Sequence, residues 1–376
     1  MTEQTPKRNT RRDPERGLAL TLIGMAALEL LLVVVLLLRA FAPAVRPPEV
    51  LPPTPVTTAP TTPPPEPMPE IPVFAGGVKP TLPRDTSNTQ TLTGAAVASN
   101  YALLFNARTG EVIVGKNADT SFSPASLTKV MTLIVACEAL TKEELSTRLT
   151  LTQEVTEYVT SGSYADTGVA LIDGDKYLND EFTIRDLLFG IGVASGADCT
   201  YMIVKHVAEN EAAFVARMNQ KAEELGLTKT HFDNAVGYDS QTNVTTAREM
   251  ALIMQYALQC DLIREILSVE SHVFYGYYLN DGVEDSYRRT FYSTLFRDRM
   301  DTYKKYVKTD FALTTARLTG GKTGYWNSSH IVVTAKGNTS GDEYILVLGD
   351  AVKTETLPAS VYTMKDIKLL LDTYAQ

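Results

Sequence analysis

Residues 121–140 read "SFSPASLTKVMTLIVACEAL", and Ser126 and Lys129 stand three positions apart near the head of this run. Its apolar residues recur at helical spacing, Ser123 is placed to cap the helix, and Pro124 suits its first turn. Residues i and i+3 share one face of a helix, so a hydroxyl and an amine emerge side by side from a segment that otherwise reads as core. The first backbone N–H groups of a helix lack intrahelical partners and carry partial positive charge. A serine there offers an Oγ to attack a carbonyl and an N–H to hold the resulting oxyanion. Lys129 is the candidate base, because burial and the positive helix end both disfavour its ammonium.

Outward from this run, "NYALLFNARTGEVIVGKNAD" predicts a β-hairpin, two short apolar runs split by the turn residues "NARTG". Downstream, "TIRDLLFGIGVASGADCTYMIVKHVA" predicts two helices broken near Gly192–Gly196, and "NEAAFVARMNQKAEELGL" a third that ends at Gly226. "TTAREMALIMQYALQ" is a further helix, "HIVVTAKGN" and "EYILVLGDA" are strands, and "TMKDIKLLLDTYA" closes as a helix. A hairpin at the start, helices in the middle and strands at the end predict an α+β fold: one antiparallel sheet built from both ends of the chain, with helices packed on it.

The 376 residues, 44% hydrophobic and 21% charged with net charge −9, are enough for one large domain or two small ones. The acidic balance argues against a nucleic-acid partner, since phosphate binding needs a basic face. Cys137, Cys199 and Cys260 are widely spaced with no CxxC pair, and His206, His231, His272 and His330 stand apart from one another. No metal site and no cofactor are expected from this pattern.

Residues 17–41, "GLALTLIGMAALELLLVVVLLLRAF", hold an apolar run long enough to cross a bilayer as a helix. Residues 1–16 carry Lys7, Arg8, Arg11, Arg12 and Arg16, which set this tail on the cytoplasmic side and the rest of the chain outside. The apolar core exceeds a signal-peptide h-region and Pro43 follows the small-residue site, so an uncleaved, single-pass signal anchor is expected. Glu29 lies inside the span, where a carboxylate is costly. Residues 42–92 contain most of the 19 prolines and predict an extended, disordered stalk of about 3 Å per residue. The folded domain is then expected over residues 93–376.

SxxK alone is a weak signal. It gains weight from "GGKTGYW", where Lys322, Thr323 and Gly324 are expected just before the strand near His330. There Lys322 and Thr323 would point one way to grip a carboxylate, and Gly324 would let a ligand approach the backbone. Lys322 would also add a positive charge near Lys129, lowering its pKa further. SxxK followed far downstream by KTG resembles the penicillin-recognising serine peptidases. The blocks "NADTSFSPASLTKVMT", "FTIRDLLFGIGVASGAD", "LGLTKTHFDNAVGYD", "TTAREMALI" and "GGKTGYW" are similar, in order, to the D-alanyl-D-alanine carboxypeptidases among the low-molecular-weight penicillin-binding proteins. This likeness runs over residues 100–351.

The resemblance implies a β-lactamase/transpeptidase-like architecture with a helical subdomain. It implies Ser126 as acylated nucleophile, Lys129 as general base and Ser195 as proton relay. Lys322 and Thr323 would hold the substrate carboxylate, and the N–H groups of Ser126 and Tyr325 would form the oxyanion hole. Peptidoglycan stem peptides would be the substrate, and β-lactams covalent inhibitors. A carboxypeptidase and an endopeptidase would use the same groups. The family's middle motif, SxN, is here Ser195-Gly196-Ala197, so an amide that donates to the substrate carbonyl is replaced by a methyl. Ala197 leaves open a second reading, an impaired homologue that binds stem peptides or recruits wall-assembly partners. "YLN" at residues 177–179 fits a family variant by letters, but in a polar loop where no catalytic residue is expected. Asp175 has the spacing of a β-lactamase deacylation loop but precedes Ser195, the wrong order, so a penicillin adduct should be long-lived. With the chain ending soon after its last helix, the anchor that relatives often carry at the C-terminus is expected at the N-terminus.

Overall fold

The computed structural model describes residues 72–93, 96–160, 168, 170–171 and 176–376. The anchor expected at residues 17–41 and the proline-rich run up to residue 71 lie outside these. Among the described residues no helix is long and apolar enough to cross a membrane.

A six-stranded sheet joins the two ends of the folded chain. Its order is β1 (Gln90–Thr91), β3 (Val112–Lys116), β2 (Tyr101–Asn106), β10 (Glu343–Ala351), β9 (Ser328–Gly337) and β8 (Ala316–Trp326). All neighbours are antiparallel except the short β1, which lies parallel to β3. The β2–β3 turn closes as its residues predict: Asn106 Oδ1 accepts from the N–H groups of Arg108 and Thr109, and Gly110 takes φ 73°. β2 is apolar on both faces because both are covered. Leu103 and Phe105 join the core beneath the helices, while Ala102 and Leu104 face the C-terminal helix with Ile331, Val333, Leu346 and Leu348.

Helix α1 (Lys129–Ala139) is the central helix: Lys129 through Cys137 are all buried, and apart from Lys129 and Thr132 that stretch is apolar on every face. Around it lie α2 (Gln153–Thr160), α3 (Ile184–Val193), α4 (Ala197–Val207), α5 (Glu211–Leu225), α6 (Ala247–Ala257) and α7 (Asp261–Ser268). Their ends follow the sequence. Thr183, Asn210 and Thr246 cap α3, α5 and α6 through their side chains, and Gly226 ends α5 in the left-handed region. Helix α8 (Met300–Val307) precedes β8, and α9 (Ala359–Tyr374) covers the sheet's second face. On α9, Asp366 accepts from the N–H groups of Ala98 and Ser99 and from Ser99 Oγ, tying the start of the sheet to the chain's last helix.

Three features depart from the expectations. First, residues 72–92 do not continue a stalk. Phe74 is buried, its N–H and that of Val73 donate to Cys137 and Leu140 at the end of α1, and Gly77 N–H reaches the Tyr256 hydroxyl. Proline falls here to Pro72, Pro80 and Pro83, and Phe74 and Val73 supply apolar surface, so the segment has something to bury. Second, a four-stranded sheet, β4 (Arg148–Thr150), β5 (Glu181–Thr183), β6 (Ser271–Asn280) and β7 (Val283–Tyr292), was not anticipated. The Asp281-Gly282 pair, at φ 51° and 81°, turns β6 into β7 and is the sequence signal that marks it. Third, Lys322–Gly324 lie inside β8, not ahead of a strand, and β8 is the outermost strand of its sheet.

Candidate active site

Ser126 sits in a 3₁₀ turn, Ala125–Thr128, that feeds directly into α1. The expected Ser123 cap does not form. Pro124 occupies the capping position, its carbonyl accepts from Leu127 N–H, and Ser123 Oγ is buried without a partner. Ala125, immediately before Ser126, is held at φ 47°, a left-handed conformation that alanine rarely adopts. The backbone packed on this turn explains how it is held. Gly237 (φ 81°) lies so close that a Cβ there would sit 2.0 Å from Ala125 O, and a Cβ at Gly324 would meet Pro124 O at 3.0 Å.

One helical turn on, Lys129 is buried with its Nζ 3.2 Å from Ser126 Oγ and 2.6 Å from Val236 O. The loop that presents Val236 O is shaped by Asn234, whose Oδ1 accepts from the N–H groups of Gly237 and Tyr238. Burial pulls the Lys129 pKa down to about 7, against the opposing pull of Asp198 and Cys199. The direction is the one a base requires. Its cause is the burial expected from sequence; the additional Lys322 charge is not among the causes.

Ser195 occupies the break between α3 and α4, again at a positive φ, 60°. From β8, Lys322 Nζ donates to Ser195 Oγ at 2.8 Å and to Thr323 O at 2.9 Å. Lys322 is completely buried, and burial first, then the nearby Lys129 and Arg299 charges, push its pKa well below the usual lysine value. Thr323 does not share the Lys322 partner: its Oγ1 donates to Thr294 Oγ1 at 2.7 Å, as the alternation along a strand requires. Tyr325 is 57% exposed. The structure therefore pairs Ser126 with Lys129 and Ser195 with Lys322, brings the Lys129 charge close enough to act on Lys322, and carries Thr323 and Gly324 on the same strand as Lys322.

Ala197 is fully buried beside Val159 and Val236, so apolar contact fills the place where the resemblance puts an amide. The next residue, Asp198, fixes this corner: its carboxylate accepts from the N–H groups of Ala170, Leu171 and Cys199. Tyr177 of the "YLN" triplet packs instead on Tyr287 of β7. Asp175 lies outside the described residues.

Four participants escaped the sequence reading. Val236 acts through its carbonyl and Gly237 through its lack of a side chain. Arg299, in the turn Thr294–Arg299, donates to Ser329 Oγ and Gly324 O and is lowered to about 10 by burial. Thr294 holds Thr323. Among the described residues no group of His, Cys, Asp and Glu could hold a metal ion. The three cysteines are buried, with free thiols.

The arrangement supplies an alcohol beside an amine of lowered pKa, a second alcohol bonded to a buried lysine, and an outermost strand with a small residue at the closest approach. Those are the parts that acyl transfer requires.

Comparison with known proteins agrees. A family model described as D-alanyl-D-alanine carboxypeptidase matches residues 86–352. D-alanyl-D-alanine carboxypeptidase DacF of Bacillus subtilis is 27% identical over 265 residues, covering 70% of this chain and 60% of that protein. DacC of Escherichia coli is 32% identical over 169 residues, covering 44% of this chain and 40% of the relative. The chain thus spans about 40–60% of the length of these curated relatives. The crystal structure of the Streptomyces K15 DD-transpeptidase superposes with a TM-score of 0.59 at 21% identity, covering 74% of this chain and 98% of that one. Penicillin-binding protein 5 of Haemophilus influenzae gives 0.55 at 22%, covering 74% and 72%. At this identity the two structures share the fold.

Proposed function

The chain belongs to the D-alanyl-D-alanine carboxypeptidase family, and we propose that it is a membrane-anchored serine peptidase that removes the terminal D-alanine from peptidoglycan stem peptides. The observation that carries the reading is the 3.2 Å contact between Ser126 Oγ and the buried Lys129 amine. Neutral Lys129 takes the Ser126 proton as Oγ attacks the penultimate D-alanine carbonyl. The N–H groups of Ser126 and Tyr325 face the developing oxyanion. Ser195, its Oγ accepting from Lys322, gives its proton to the departing D-alanine nitrogen and is reprotonated by the Lys129 ammonium, which becomes the neutral amine again. Lys322 and Thr323 hold the terminal carboxylate. Water then attacks the acyl-enzyme, Lys129 taking its proton and returning it to Ser126 Oγ as the ester bond breaks, and the shortened peptide leaves with Ser126 and Lys129 restored. β-Lactams enter the first half of the same cycle and form a lasting Ser126 ester.

A fluorescent penicillin is expected to label the full-length protein covalently and Ser126→Ala to abolish the label; intact protein that takes no label would overturn the proposal. Residues 17–41 are proposed as the anchor, checked by carbonate extraction of membranes. Ala197 favours one second reading, a stem-peptide binding module. Saturable binding of a stem pentapeptide with no released D-alanine, and with penicillin labelling absent, would establish it instead.

A further inference from the structure

A strand that ends a sheet leaves half of its backbone N–H and C=O groups unpaired. β7 is such a strand: it is the terminal member of the order β4-β5-β6-β7, and among the described residues no strand pairs with its outer side. Asn280 and Val283 face each other across the two-residue turn, so the backbone groups of Val283, Asp285 and Tyr287 point to β6. Those of Glu284, Ser286 and Arg288 point outward, and all three residues are exposed. Glu284 and Arg288 therefore sit two residues either side of Ser286, on the same face of the sheet and with opposite charges.

We propose that this edge is a homodimer surface, on which a second copy of the chain adds its own β7 antiparallel with Ser286 opposite Ser286. A twofold axis perpendicular to the sheet at Ser286 preserves the faces and sets Glu284 of each copy opposite Arg288 of the other. About six backbone hydrogen bonds result, two from each of the three facing pairs. The charges select this register. Moving the axis two residues either way confronts Glu284 with Glu284 or Arg288 with Arg288. Placing it at Tyr287 pairs Asp285 with Arg289, whose guanidinium is already committed to Leu171 O and the Tyr177 ring. Leu279 and Tyr275, 74% and 45% exposed, lie beside Glu284 and Arg288 on β6 and flank both pairs. Two existing contacts adjust: Ser286 N–H leaves Asp285 Oδ1, and Glu284 shares its carboxylate between Arg148 and the incoming Arg288. The interface is small, so confinement of both copies to one membrane surface would raise their effective concentration.

The test uses the full-length chain in membranes with Ser286→Cys. Facing residues of a hydrogen-bonded pair have Cα atoms about 5.5 Å apart, within disulfide reach. The native cysteines are buried, so background is low. Mild oxidation is expected to give a covalent dimer. Adding Glu284→Arg, or separately Arg288→Glu, should cut its yield about tenfold through paired like charges. Mixing the two variants under different tags should restore the heterodimer alone. Retained penicillin labelling in each variant separates loss of pairing from loss of fold. A Ser286→Cys chain that remains monomeric, charge variants that cross-link like the parent, or cross-linking only to a different protein would each overturn the proposal.

Discussion

Lys322 Nζ lies 2.8 Å from Ser195 Oγ across 127 positions of sequence. The contact ties β8 to the break between α3 and α4 and gives the Ser195 hydroxyl a fixed role as acceptor. Ser195→Ala is expected to slow acylation by penicillin by about 10²–10⁴-fold, the usual scale of a lost proton-transfer group. Labelling should remain complete at long times, because Ser126 and Lys129 are untouched. Lys322→Ala should lower kcat/KM for a carboxylate-bearing peptide far more than for its amide. Equal losses on both would remove Lys322 from carboxylate binding.

The Lys129 pKa of about 7 predicts the pH profile. Below it the amine is protonated and cannot accept the Ser126 proton. The rate constant for acylation should therefore fall about tenfold per pH unit on the acid side and level off above pH 7. Asp198 opposes the shift, so Asp198→Asn should move this limb to lower pH. Stopped-flow acylation across pH 5–9 checks both, using only variants shown to remain folded. A limb that stays in place in Asp198→Asn would contradict the electrostatic assignment.

Ala197→Asn restores the amide that the resemblance expects at a position with no spare room. Release of D-alanine from a stem pentapeptide should rise about ten- to a hundredfold, corresponding to a charge-assisted hydrogen bond of about 1.5–3 kcal/mol. Overpacking against Val159 and Val236 should cost about 1–3 kcal/mol of stability, read as a lower Tm. Lower stability with no gain in rate would show that this site uses no amide.

Gly237→Ala tests the packing beneath the nucleophile. The new Cβ would overlap Ala125 O and the φ of 81° disfavours any side chain. Because Ala125 leads into Ser126, acylation should fall by more than the change in Tm alone explains, whereas Gly110→Ala, at a similar φ but in open space, should cost stability and leave acylation unchanged.

The sequence made the positions of Ser126, Lys129, Ser195 and Lys322 readable, because local pattern and family likeness both mark them. It showed Ser126 beside Lys129 but not Ser195 against Lys322, a contact across 127 positions that depends on a sheet closed by the long-range pairing of β10 with β2. Val236 and Gly237 were invisible for a different reason: they contribute a carbonyl and an absent side chain, and residue type announces neither. Arg299 lies in a charged, irregular run that gave no periodic signal. The β6–β7 hairpin carried an Asp-Gly turn between Tyr-rich runs and could have been found. Residues 72–92 were obscured by the prolines before them, although Phe74 was the apolar residue out of place in a stalk.

The seating of Val73 and Phe74 on the end of α1 has a mechanical corollary. Eleven residues of helix separate that seat from the turn that bears Ser126, about 16 Å at 1.5 Å per residue. Any pull arriving from upstream of the fold is therefore delivered to the rear of the central helix and spread into Tyr256 and Gln259 through the backbone of Gly77 and Val78, leaving the reactive end unloaded and pointed away from its mooring.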